Sequence, residues 1–217
     1  MALQYRIIPV TPYQQNCSLL WCDETMKGAV VDAGGDLHLI KAAIEQHGVK
    51  LEKLLVTHGH LDHVGGVYDL QQQTGVPVEG PHEEDLFWIN MLTQQAQLMR
   101  MPSTAQPFTS DRYLHQGDTV TVGNETLEVR HCPGHTPGHV VFYSASAQLV
   151  IVGDVLFQGS VGRTDFPKGD FDTLKAAIQR ELWSLPDEVR FIPGHGPMST
   201  IGHERRTNPF VADPQYG

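Results

Sequence analysis

The seven residues Thr57-His58-Gly59-His60-Leu61-Asp62-His63 gather three imidazoles and one carboxylate, directly after the apolar run Leu54-Leu55-Val56. Imidazole and carboxylate are good ligands for first-row divalent metals. A hydrophobic core is a poor home for such crowding, because each buried polar group needs its own partner. Nor is histidine a usual turn residue, a place taken by Gly, Asn, Asp and Ser. The stretch reads as a metal site.

Three later loops repeat the arrangement of an apolar strand running into His or Asp among glycines. They are His131-Cys132-Pro133-Gly134-His135-Thr136-Pro137-Gly138-His139, Ile151-Val152-Gly153-Asp154 and Phe191-Ile192-Pro193-Gly194-His195-Gly196-Pro197. Loops on a rigid scaffold are favoured carriers of active sites. His135, Asp154 and His195 are the members selected. In the first loop, strand alternation gives His139 a structural place, and His131 reads as an outer partner of the site or a core histidine. Cys132 as a ligand is the minor reading. His38, His47, His82, His115 and His203 fall on helices or polar loops and read as surface residues.

Something must bring these loops together. Short apolar runs bounded by Pro, Asn, Asp or Gly predict strands over 5–10, 18–22, 29–31, 53–57 and 76–78. A second series covers 119–122, 126–130, 139–143, 149–152 and 189–192. Helical spacing predicts helices over 37–47, with Leu37, Ile40, Ala43 and Ile44 on one face, and over 62–73, 81–101 and 172–185. Gly48 is the expected stop of the first. Gly65 and Gly66 lower the stability of the second, which points to close backbone packing there. The third carries Leu86, Phe87, Ile89, Met91, Leu92, Leu98 and Met99, and its Met-rich end reads as core filling rather than a soft binding surface. Strands in both halves with helices between them predict an α/β fold, two packed sheets flanked by helices in one domain over 1–217.

Composition narrows the function. The 217 residues are 40% hydrophobic and 18% charged, an ordinary globular balance. A formal net charge of −10 argues against a nucleic-acid partner, which calls for a basic footprint. No apolar run approaches the roughly 20 residues of a membrane helix, and the N-terminus lacks a basic stretch before an apolar one. A cytoplasmic protein without a membrane partner is expected. Three cysteines, Cys17, Cys22 and Cys132, are too few for a disulfide framework. The odd spacing of Cys17 and Cys22 puts them on opposite strand faces.

The Thr57 to His63 turn, followed in order by His135, Asp154 and His195, resembles the metallo-β-lactamase superfamily over nearly the whole chain. That resemblance implies an αββα sandwich of two mixed sheets with a dinuclear metal site at the sheet edges. It implies that His58, His60 and His135 bind one divalent metal, that Asp62, His63 and His195 bind the other, and that Asp154 bridges them. Within the superfamily the chain is most similar to glyoxalase II, the hydroxyacylglutathione hydrolases, through Pro133 to His139, Gly153-Asp154-Val155-Leu156-Phe157 and Thr207-Asn208-Pro209-Phe210. About twenty residues follow His195, so no separate C-terminal glutathione-binding domain is expected. Arg163 matches a basic glutathione-contacting residue, while Phe166 stands where the family carries tyrosine. The implied activity is thioester hydrolysis, S-lactoylglutathione to lactate and glutathione, with Asp62 also orienting the water.

Zn²⁺ is the implied metal, with Fe or Mn as alternatives. A small-molecule acyl thioester, glutathione-linked, is the implied partner, and the chain is expected as a monomer or small homo-oligomer. Two other activities fit the same scaffold: a persulfide dioxygenase with one iron, and a non-hydrolytic metal-binding or redox protein. Metal stoichiometry and oxygen uptake separate them.

Overall fold

The computed structural model describes residues 2–99 and 105–215. Strands β1 (Leu3–Val10), β2 (Gln15–Cys22), β3 (Lys27–Val31), β4 (Lys50–Leu55) and β5 (Val78–Glu79) form one mixed sheet in that order. Its first two pairings are antiparallel and its last two parallel. The second sheet contains β6 (Thr119–Val122), β7 (Glu125–His131), β8 (Val140–Ser144) and β9 (Leu149–Gly153). A two-stranded ribbon of β10 (Leu156–Phe157) and β11 (Ser160–Val161) follows, then β12 (Arg190–Pro193) and β13 (Ser199–Thr200). In space the second sheet runs β13-β12-β9-β8-β7-β6, with β12 parallel to β9 and the other neighbours antiparallel.

Strand alternation explains the layering. Successive side chains point to opposite faces, so Leu149 and Ile151 face one way and Val150 and Val152 the other. Leu149 and Ile151, with Phe142, Leu127 and Val140, pack on Leu20, Val31 and Leu55 of the first sheet. Val150 and Val152 instead pack under α6 (Phe171–Ala177) and α7 (Ile201–Thr207), against Leu174, Ala177 and Ile201. On the far face of the first sheet, Cys17, Leu19 and Val30 meet α1 (Leu37–His47) and α3 (Val67–Thr74) through Ile40, Val67 and Leu70. The result is helix, sheet, sheet, helix. This is the α/β sandwich expected from the sequence. All three cysteines are free and buried. No helix among the described residues is long and apolar enough to cross a membrane.

The strands of the core fall where the patterning puts them, and α1 runs over the expected residues with Gly48 as its left-handed stop. Three helices differ. The helix expected over 62–73 is two, α2 (Leu61–Val64) and α3, parted at Gly65-Gly66. A Cβ on Gly65 would come 2.7 Å from the Gly34 carbonyl oxygen, so the close packing expected there is real, and it interrupts the helix. The helix expected over 81–101 is a 3₁₀ turn at Glu83–Asp85, then α4 (Leu86–Asn90) and α5 (Leu92–Leu98). Its expected end at Arg100 and Met101 lies outside the described residues. The breaks have a geometric reason. In a straight helix Asp85 and Gln95 would stand about 15 Å apart along the axis, yet both bond to Gly59, Asp85 to its N–H and Gln95 to its carbonyl. The helix over 172–185 begins at Phe171, capped by Asp170, and passes at Ile178 into a π-helical turn ending at Leu182. The ribbon, β13 and α7 were too short to show a period.

Candidate metal centre

The four loops meet at one edge of the sandwich because their strands end there. β4 delivers Thr57 to His63, β7 and β8 are joined by the 131–139 loop, and β9 delivers Asp154. The parallel register of Pro193 with Gly153 sets β12 beside β9, and Gly194 N–H donates to the Gly153 carbonyl at 2.7 Å. A Cβ on Gly194 would collide with Asp154 Oδ1 and come 2.7 Å from His63 Cε1. Glycine is what lets this loop lie against the cluster. Asn16, at the start of β2, holds the loop from the other side, donating from its side chain to the carbonyls of Pro193 (3.0 Å) and Gly196 (2.9 Å).

All seven residues selected from the sequence come together. His58, His60 and His135 present ligand atoms within 4.8 Å of one another, and so do Asp62, His63 and His195. His60 Nδ1 lies 2.9 Å from His135 Nε2. Asp62 Oδ2 lies 3.0 Å from His195 Nε2. Asp154 stands between the two groups, with Oδ1 3.2 Å from His63 Nε2 and Oδ2 3.5 Å from His135 Nε2 and 3.7 Å from His195 Nε2.

The donor set fits divalent metal. His58 Nε2, His63 Nε2 and Asp154 Oδ1 are buried and make no hydrogen bond in the protein, although the last two face each other at 3.2 Å. Each such orphan costs about 1–3 kcal/mol, so these buried lone pairs call for partners that the protein itself does not supply. Divalent cations, one beside each nitrogen group with Asp154 between them, would satisfy them.

The electrostatics split the cluster. Burial, and after it the neighbouring imidazoles, hold His58 and His60 well below the ordinary histidine pKa. Burial lowers His135 too, against the pull of Asp154. These rings are neutral, the form that ligates metal. Burial also works to lower His63, but the Asp154 and Asp62 carboxylates outweigh it and hold that ring well above its usual range. Burial opposes ionisation of Asp154 as well, yet His63, His135 and His195 keep it far below the carboxylate range.

Most of these rings are oriented from behind. His58 Nδ1 meets Thr57 Oγ1 at 3.0 Å, and His63 Nδ1 meets Asp32 Oδ2 at 2.8 Å. Asp32 also accepts from the Thr57 N–H and hydroxyl, at 2.8 and 2.6 Å. His135 Nδ1 bonds to the Arg163 carbonyl at 2.7 Å and His195 Nδ1 to the Tyr13 carbonyl at 3.2 Å. Such outer partners fix which nitrogen faces a metal.

Several of these residues carry no pattern in the sequence. Asp32 ends a strand in a left-handed turn, and Asp85 and Gln95 sit in what reads as an ordinary amphipathic helix. Asp85 Oδ2 accepts from Gly59 N–H and Thr136 hydroxyl, both at 2.8 Å, and Oδ1 accepts from Gly138 N–H at 2.6 Å. It thereby ties the first motif to the 131–139 loop. Burial pushes its carboxyl up to about 6 against those three donors.

The remaining readings resolve as follows. His139 is structural, fully buried and stacked on His58 at 4.5 Å, its Nε2 accepting from Asp154 N–H. His131 is half-buried and bonds to the Pro137 carbonyl; it stacks on His82 at 4.5 Å and lies among none of the seven. His82 and His47 are half-buried rather than surface residues, His47 against Trp21, whereas His38, His115 and His203 are exposed. Cys132 points into the helix-side core, away from any ligand role. Arg163 lies at the mouth of a cavity of about 550 Å³ that opens onto the cluster. Met91 and Met99 line the same cavity. The core-filling reading of that Met-rich end holds in part: Ile89, Leu92 and Ala96 lie in the core and Met99 packs against it, whereas Met91 and Leu98 are exposed, Leu98 at 81%.

Comparison with known proteins agrees with this geometry. A family model described as the metallo-beta-lactamase superfamily matches residues 10–195. The chain is 44% identical over 210 residues to hydroxyacylglutathione hydrolase GloC of Haemophilus influenzae, covering 96% of this chain and 98% of that one. Among solved structures it is similar to the BLEG-1 B3 metallo-beta-lactamase, with TM-score 0.89 and 32% identity over 97% of this chain and 100% of the other. It is also similar to TTHA1623 in a di-iron-bound form, with TM-score 0.86 and 37% identity over 95% and 100%. The chain belongs to the metallo-beta-lactamase superfamily and is a metallo-hydrolase.

Proposed function

We propose that the chain is a dinuclear thioester hydrolase of the glyoxalase II type, cleaving S-lactoylglutathione or a related acyl thioester. One observation carries the reading: the two carboxylate oxygens of Asp154 reach toward both nitrogen clusters at once. His58, His60 and His135 would hold one metal, Asp62, His63 and His195 the other, and Asp154 both. The relatives support the reading, one called a hydroxyacylglutathione hydrolase and one solved with two irons. Zn²⁺ is the proposed ion, and Fe or Mn²⁺ suits the same donors.

When bound, such ions supply a water whose pKa falls to about 7 and a Lewis acid for a carbonyl. The protein's own part is positioning. Asp62, bonded to His195 and open to the cavity, orients the attacking water. Asp32, Thr57 and the Arg163 carbonyl keep the imidazoles from turning. A thiolate leaves readily, so no strong general acid is required. Arg163 at the cavity mouth is the proposed contact for a carboxylate of the thiol carrier.

The test couples metal analysis to thiol release from S-lactoylglutathione. Two metals per chain with thiol release are expected. Fewer than two together with no release overturns the proposal, and oxygen uptake with glutathione persulfide at one iron per chain replaces it with a dioxygenase.

A further inference from the structure

The cavity beside the cluster is lined by His60, Asp62, His135, Asp154 and His195 on one side. Its other walls are apolar: Trp88, Met91, Leu98, Met99, Phe157 and Phe166. Three more polar side chains line it, each already bonded within the protein, and the unpartnered indole N–H of Trp88 is itself buried from solvent. Tyr13 hydroxyl donates to the Met99 carbonyl at 3.4 Å. The Gln95 amide accepts from Leu61 N–H and donates to the carbonyls of Gly59 and Trp88. The Arg163 guanidinium pairs with both oxygens of Asp165, at 2.9 and 2.8 Å, and lies 4.5 Å over the Phe166 ring. Beyond the candidate ligands, the cavity offers apolar surface and one cation at its rim, held in an exposed pair with Asp165.

That chemistry discriminates between the two arms of a thioester. Glutathione carries two carboxylates and an ammonium, and burying a charge without a partner is strongly unfavourable. Its polar end therefore belongs at the rim, where the exposed Arg163 stands. The cavity is left to the acyl arm. A lactoyl group brings one methyl and one hydroxyl, which leaves most of about 550 Å³ unfilled. Resting on the thioester-hydrolase reading, we propose that this site selects acyl groups with a bulky apolar end, aryl or medium-chain alkyl, seated against Trp88, Phe166 and the Met91-Leu98 wall.

The test varies the acyl arm at constant thiol. With metal-loaded protein, kcat/KM for S-phenylacetylglutathione is expected to exceed that for S-acetylglutathione by about thirtyfold, because the added ring removes apolar area from water. Met91→Ser and Leu98→Ser, at the cavity rim, should each lower that ratio several-fold. Equal or reversed preference with both esters cleaved overturns the proposal and leaves the hydrolase reading standing. Binding separates the two ideas further. By calorimetry, the uncleavable thioether S-(2-phenylethyl)glutathione should bind about tenfold more tightly than S-methylglutathione. Equal affinity overturns the proposal, whether or not any thioester is hydrolysed. Tighter binding without hydrolysis keeps the apolar site and removes the hydrolase reading.

Discussion

The two halves of the cluster are built differently. His58, His60 and His135 come from one turn and one loop, are nearly fully buried, and are packed by His139, Trp88 and Phe166. Asp62, His63 and His195 join residues more than 130 positions apart, and the His195 side chain is 29% exposed beside the cavity. The first half is boxed in by rings and by Asp85. The second depends on a loop held by Asn16 and the Tyr13 carbonyl. The contrast lies chiefly at His195, since His60, Asp62 and His135 line the same cavity and His63 is fully buried.

The sharpest way to break that contrast is to remove the residue both halves share. Asp154→Ala should lower occupancy of both metals and reduce thioester turnover by about a hundredfold or more, several kcal/mol of barrier. Loss of a single metal by elemental analysis refutes its bridging place. Next, His195→Ala and His60→Ala should differ under graded chelator. The first should keep metal in the enclosed half while turnover falls; the second should release metal at lower chelator concentration than the first. Equal release from both variants erases the distinction.

A smaller effect tests the tie between the loops. Asp85→Asn replaces an acceptor of three donors by a group with one acceptor oxygen, and metal affinity should fall by about 10–100-fold. An unchanged affinity in competition titration contradicts the tie. Its pH dependence follows from the raised carboxyl. The folded-state value of about 6 lies above the unfolded value, so the folded protein takes the proton first. The stability of the native protein relative to Asp85→Asn should therefore rise as pH falls through about 6 and level off below the unfolded carboxylate range. A flat difference in melting temperature between pH 7 and 4 contradicts this assignment.

Much of the centre was legible because chemistry-bearing residues repeat at strand ends. His135, Asp154 and His195 stand out by type, and each follows an apolar run with Gly or Pro forcing the turn. The fold was legible through alternation, since β8 and β9 send odd and even residues to different cores. What lay hidden were residues whose role depends on distant partners. Asp85 and Gln95 look like surface positions of one helix until two breaks bring both to Gly59. Met91 shares the apolar periodicity of true core residues, and only the tertiary packing of 86–99 leaves it at the cavity, while Met99 meets both the core and the cavity. A hydrophobic period reports a buried stripe without saying whether a protein core or a ligand buries it.

The most direct measurement is a metal titration of the metal-free protein, following thiol release from S-lactoylglutathione at each addition. The account predicts little turnover while the enclosed half fills, then a steep rise as the second metal enters beside Asp62 and His195, with a plateau at two metals per chain. Full turnover at one metal per chain, unchanged by further addition, contradicts it.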